Sequence, residues 1–208
     1  ISACLVGSEM CIRDRYAPLP YSGGVSSTNL TREEARHRSE IIKVERYHVR
    51  IDVRGADADG ATHFTSNTRV RFSTKEPDTF LDLLDGEIES VIVNDEEIEP
   101  EYDGSRIQLH RLHTHRKNLV IVTAKLPYQH TGQGLHRFVD PADGKVYLYT
   151  HFEAADSRRV YSVFEQPDLK AHVDFDVIAP SGWRVASNQV HEDIREEENG
   201  LLHDFALT

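Results

Sequence analysis

The sequence predicts an all-β domain, an antiparallel β-sandwich or curved, saddle-like sheet with one short N-terminal helix. Three observations carry that reading. Apolar and polar residues alternate with a period of two over long stretches from Tyr47 onward. Turn residues interrupt the alternation at short intervals: Asp85-Gly86, Asp103-Gly104, Gly132, Asp143-Gly144 and Ser181-Gly182. No strand–helix–strand rhythm appears, which argues against a doubly wound parallel sheet.

The elements follow in chain order. Residues 1–28 are expected to be a non-native or disordered leader and linker. Within them, 1–15 show neither strand alternation nor a helical stripe, and 16–28 are rich in Pro, Gly and Ser. The β domain is expected to run over 29–208 and to be cut short inside its last strand. Thr31 followed by Glu34 forms a capping box, which predicts a helix over about 32–42. Tyr47, Val49, Ile51 and Val53 then alternate with His48, Arg50, Asp52 and Arg54, and 64–72 alternates likewise after the turn GADADG at 55–60. Two such runs joined by a Gly/Asp turn predict a hairpin. Further strands are expected at 79–84, 88–93, 105–109, 118–126, 146–152, 172–178, 182–187 and 200–208. Alternation of Trp183 with Val185 places that lone tryptophan in the core.

Bulk properties narrow the partners. The formal net charge is −11, with no basic patch along the chain, so nucleic acid is not an expected partner. No apolar run approaches the roughly 20 residues of a membrane span, so no membrane partner is expected. The cysteines are Cys4 and Cys11, and none follows, which favours a reducing, cytoplasmic compartment. Asn29-Leu30-Thr31 matches a glycosylation sequon, an accidental match in that setting.

Chemistry-bearing motifs are sparse. No nucleophile elbow or phosphate-binding loop is present. His110, His113 and His115 cluster, but Arg111 and Arg116 flank them and no carboxylate is close in sequence, so a solvated loop is the expectation. His191-Glu192 opens like the zinc helix His-Glu-x-x-His, yet Arg195 stands at the second histidine position. No metal site and no catalytic residue is therefore expected in this chain. Two carboxylates, Glu153 and Glu165, bracket a polar-aromatic stretch at 146–171. Glu153 ends a strand, from which a carboxylate can reach a cleft and take an ammonium by a charge-assisted hydrogen bond. The alternative is an ion pair with Arg158 or Arg159.

That stretch resembles the aminopeptidase N family of zinc aminopeptidases. The matching elements are YLYT (147–150), HFE (151–153), DSRR (156–159) and FEQPDLKA (164–171), preceded by GQGLHRFVD (132–140) and followed by VDFDVIAPSGWRVASN (173–188). The opening at 29–53 resembles the actinobacterial branch. The resemblance runs in order over about 29–208.

It implies a parent enzyme with a thermolysin-like second domain that holds zinc and removes N-terminal residues from peptides. It implies that Glu153, in the family's Gln-x-Glu, holds the free α-amino group of the substrate, with His151 beside it. The partners implied are peptides with a free N-terminus and the enzyme's own catalytic domain. This chain alone is expected to be inactive. His151 departs from the family glutamine, and Glu165 stands where the family has Asp. Glu165, Arg158, Arg159 and Asp168 are expected to serve structure. Two rival readings are a non-catalytic β-sandwich binding module, which would need an exposed aromatic platform, and a hydrolase pairing Glu153 with Glu165 across one cleft.

Overall fold

The computed structural model describes residues 29–208. The expectations for 1–28 lie outside the described residues. Thr31 caps helix α1 (Arg32–Ile41): its hydroxyl accepts from the Glu34 amide at 3.1 Å, and the Glu34 carboxylate accepts from the Thr31 amide at 2.8 Å. Both halves of the capping box are thus present, as the sequence implied. The chain passes without a loop into β1 (Ile42–Asp52), which forms the expected hairpin with β2 (His63–Thr74).

A bulge at Glu45 explains a phase change in β1. Ile42 and Val44 are buried before it, and Tyr47, Val49 and Ile51 after it. One extra residue shifts the alternation by one position, so even and odd residues reach the same core.

The remaining strands are β3 (Thr79–Asp82), β4 (Glu87–Val93), β5 (Glu96–Ile98), β6 (Arg106–Leu109), β7 (Asn118–Pro127), β8 (Gly134–Val139), β9 (Val146–His151), β10 (His172–Ala179), β11 (His191–Glu197) and β12 (Gly200–Phe205). An eight-stranded sheet has the order β11-β12-β10-β1-β2-β7-β4-β5. Its pairs are antiparallel except β1–β10, which is parallel. Two smaller two-stranded sheets, β3–β6 and β8–β9, complete the fold.

Val49, Val70, Phe72, Val91 and Val120 on the inner face of the large sheet share one core with Leu81, Ile107 and Leu109 of β3–β6, and with Phe164. Complete burial of each such side chain contributes about 1.5–3 kcal/mol, so this shared face defines the two-layer arrangement.

One expected strand is absent and three strands are added. Residues 182–187 form no ladder: Gly182 has φ +91°, the Trp183 amide donates to the Pro180 carbonyl, and the next strand starts at His191. Trp183 and Val185 still pack, half-buried, against the core. The His191-Glu192 pair that opens like a zinc helix lies in the exposed edge strand β11. Strands β5, β8 and β11 are additional to the expected set, β8 growing out of the Gly132–Gly134 turn. Among the described residues no helix is long and apolar enough to cross a membrane.

Candidate functional site

Strands β8 and β9 form a ribbon that leads to Glu153. Their register pairs Gly134 with His151, His136 with Tyr149, and Phe138 with Tyr147. Residues directly opposite on an antiparallel pair share a face. His136, Phe138, Tyr147, Tyr149 and His151 therefore line one side, and Phe138, Tyr147 and Tyr149 are about half exposed there. Tyr149 stacks on His136 at 4.7 Å between ring centroids.

The other side is anchored. Leu135 is buried, and the buried Arg137 donates to the carbonyls of Ala56 and Ala58 at 2.8 and 3.2 Å, tying the ribbon to the β1–β2 turn. The aromatic platform demanded by a binding module is thus present, built from Phe, Tyr and His rather than Trp183.

His151 ends β9, exposed. Phe152 turns back into the core, edge-on to Tyr161 at 5.8 Å. The Phe152 carbonyl then accepts from the Asp156 amide at 2.9 Å, closing a turn around Glu153, Ala154 and Ala155. Within it the Glu153–Ala154 peptide is cis. Glu153 is exposed at the tip. Among the described residues it forms no ion pair, so the alternative of pairing with Arg158 or Arg159 is not realised.

Those arginines hold the turn instead. A short 3-10 helix, Ser157–Arg159, follows it. The buried Arg158 side chain donates through Nε to the Ala155 carbonyl at 2.9 Å. Arg159 donates to Asp156 at 2.8 Å and to Asp85 at 3.3 Å. Gly134 sits against Arg159 so closely that a Cβ there would lie 2.8 Å from the Arg159 Cβ.

Glu165 has the structural place the sequence suggested. Its carboxylate accepts from the Arg158 amide at 2.7 Å, and its own amide donates to Asp82 at 3.1 Å. Burial pushes the Glu165 carboxyl up, against the opposing pull of the Arg158 amide. With Glu165 committed inward and Glu153 exposed, the two do not form the facing pair a glycosidase-like hydrolase needs. Asp168 hydrogen bonds to Ser39 of α1, also a structural contact.

The histidine cluster forms a loop, as expected, with one change. His110 lies 3.0 Å from Asp78 and 3.5 Å from Glu101, carboxylates that only the tertiary fold brings near. His113 contacts Arg116. Among the described residues no group of three or more His, Cys, Asp or Glu side chains is placed to hold a metal ion. The described residues therefore offer no zinc site of their own.

Comparison with known proteins decides the family. Residues 45–208 match the peptidase M1 N-terminal domain. The chain belongs to the peptidase M1 family as an N-terminal domain. This M1 domain is 46% identical over 165 residues to aminopeptidase N of Streptomyces lividans, covering 77% of this chain and 19% of that protein.

It resembles the M1 zinc metallopeptidase of Deinococcus radiodurans with a TM-score of 0.63 and 16% identity, over 79% of this chain and 38% of the other. A variant of a Deinococcus radiodurans M1 zinc metallopeptidase bound to a Tyr-Ser-Ala substrate matches with a TM-score of 0.62 and 15% identity, over 79% and 39%. At such identities the structural matches establish the fold. The chain spans about a fifth of the length of the curated relatives it matches.

Proposed function

We propose that this M1 domain belongs to a zinc-dependent aminopeptidase and contributes the carboxylate that holds the substrate's α-amino group. Glu153 is that carboxylate, and His151, one residue before its neighbour Phe152, borders the same site. The observation that carries the reading is the placement of Glu153. It stands exposed at the tip of a turn whose flanks are fixed by Phe152, Asp156 and Arg158, and no described residue neutralises it. A fixed carboxylate without a partner accepts a charged ammonium strongly and a blocked, neutral N-terminus poorly. That difference makes an exopeptidase. Hydrolysis itself belongs to the parent enzyme's zinc-bearing catalytic domain, which would face the ribbon. The family membership and the aminopeptidase N relative support this assignment.

The test is kinetic. In the full-length enzyme, Glu153→Ala raises KM for a free-amine peptide at least about tenfold, as expected for loss of a charge-assisted contact. Unchanged kinetics would overturn the assignment.

A second reading, a non-catalytic β-sandwich binding module, is favoured by the half-exposed row of Phe138, Tyr147 and Tyr149. It predicts ligand binding that is insensitive to Glu153→Ala and abolished by Tyr149→Ala.

A further inference from the structure

His191 and His203 meet at one edge of the large sheet. The edge strand β11 pairs with β12 alone, and its residues are exposed throughout. A bulge at Glu192 sets its phase, as the register passes from His191–Phe205 to Asp193–Asp204. The extra residue puts His191 on the same face as Ile194, which lies opposite His203. The His191 ring therefore tilts over Phe205 at 4.3 Å between centroids, and its Nε2 lies 3.3 Å from Nδ1 of His203.

His203 is covered where His191 is open to water. It is 4% exposed, and its Nε2 has no hydrogen-bond partner among the described residues. The contact joins two ring nitrogens, so one ring donates and the other accepts. If His203 donates, a further proton must enter at the buried Nε2, where no acceptor waits. If His203 accepts, Nε2 already carries a proton, and a further one must displace the bond from His191. Either way a charged His203 is costly while β11 covers it, and a charge on His191 adds repulsion. Burial, joined by the charge of His191, holds the His203 imidazole below its ordinary 6.5.

The other charged groups of the three strands are turned elsewhere. On β10, Val177 lies opposite His203. On β11, Glu196 shares the face of His203 but stands opposite Leu201, and it is exposed. Asp176, Asp193, Arg195 and Asp204 lie on the other face, where Arg195 pairs with Asp193 and Asp204. The charge of Glu192 acts on Arg46, and that of Glu197 on Arg54.

We propose that His203 is a pH-sensitive latch, which keeps β11 on the sheet while its ring is neutral and releases the strand when the ring takes up a proton. Strand β11 is the element that yields, because it is held on one side and buries no side chain. With β11 open, His203 meets water and titrates at its ordinary value, so the open form binds one proton more than the closed one. The latch is closed above about pH 6.5 and weakens as pH falls below it, by about tenfold between pH 7.5 and pH 5.5.

The experiment is amide hydrogen exchange in the full-length enzyme, read by mass spectrometry at those two pH values and corrected for the pH dependence of exchange itself. Protection over residues 192–198 is expected to fall about tenfold at the lower pH, with β2 and β7 changing less than about twofold. His203→Gln keeps a partner for His191 without a titrating ring, and His203→Leu keeps an apolar filling. Both are expected to hold the pH response of β11 within about twofold of none. Equal protection of β11 at both pH values in the parent overturns the latch. So does a fall shared equally by β2 and β7, or a tenfold response that survives in both variants. Loss of β11 protection in both variants already at pH 7.5 also overturns it, since the ring would then hold the strand by its shape and not by its charge.

Discussion

The imidazole Nδ1 of His48 lies 2.5 Å from a carboxylate oxygen of Asp174, across the parallel pair of β1 and β10. Its Nε2 lies 3.3 Å from Asp176 on the same strand. With an acceptor at each nitrogen, the ring is suited to the doubly protonated form. The bond to Asp176, joined by that to Asp174, raises the imidazole above its ordinary 6.5, against the opposing effect of burial. Arg46 and Arg50 pair with the same two carboxylates, and Arg69 stands opposite His48 on β2.

A raised folded-state value means that the folded chain holds this proton more tightly. The contribution is complete below about pH 6.5 and is lost as pH rises through the folded value. The thermal midpoint is therefore expected to fall as pH rises above about 6.5, and His48→Gln to flatten that slope. For Asp174 and Asp176, burial is outweighed by hydrogen bonds from Arg46, His48 and Arg50, and both carboxyls sit below their ordinary 3.8. Their contribution is present above that value and lost as pH falls through their folded values, which gives a separate acid limb. A slope in His48→Gln equal to the parent's would remove the histidine from the account.

A second charged pair lies inside the core. Arg38 and Asp82 are 3% and 2% exposed and 3.4 Å apart. Phe80 is stacked between the guanidinium groups of Arg38 and Arg106, at 4.0 and 4.2 Å. Burial lowers the Arg38 value and raises that of Asp82, so dehydration outweighs the attraction at both ends. Removing one partner strands a buried charge. Asp82→Ala is expected to cost about 3–5 kcal/mol in denaturant unfolding, and Arg38→Met combined with Asp82→Leu much less. Equal losses in the single and double variants would contradict this.

Much of the fold was legible in the chain because its signals are local. The Thr31–Glu34 box, the alternation at Tyr47–Val53 and the Asp-Gly turns each act within a few residues. The strand expected at 182–187 failed because alternation reports which side chains pack, and Trp183 does pack, but says nothing of a ladder partner. Strand β8 was hidden because its pairing with β9 is declared only by the register Gly134–His151. At the site, Glu153 could be singled out as a carboxylate at a strand end. Its surroundings could not: Asn29 and Arg158 are 129 positions apart, and Asp78 and His110 are 32 apart. Contacts of that range leave no mark on local periodicity.

The chain by itself is expected to show no peptide hydrolysis with zinc added, and no rise in melting temperature on titration with the metal. The described side chains offer no three-ligand cluster, and binding to the folded state would otherwise raise stability. A saturable zinc-dependent shift of several degrees would demand a site built elsewhere in the 208 residues.

Gly134 gives the most direct mechanical test of the ribbon. Its φ is +58°, a conformation that costs a residue with a Cβ about 1 kcal/mol or more. A Cβ would also fall 2.8 Å from Arg159 Cβ and 3.5 Å from Gln129 Cγ, the first too close without movement. Arg159 cannot retreat freely, because Asp156 and Asp85 hold its guanidinium. The ribbon must therefore lift from the 3-10 helix in Gly134→Ala, and β9 with it, since Gly134 pairs with His151. The expected stability loss is about 1–3 kcal/mol in denaturant unfolding. In the full-length enzyme the same variant should raise KM for free-amine substrates, because His151 and Glu153 ride on the displaced strand. A stability loss with KM unchanged would mean that Phe152, Asp156 and Arg158 hold the turn around Glu153 independently of the ribbon.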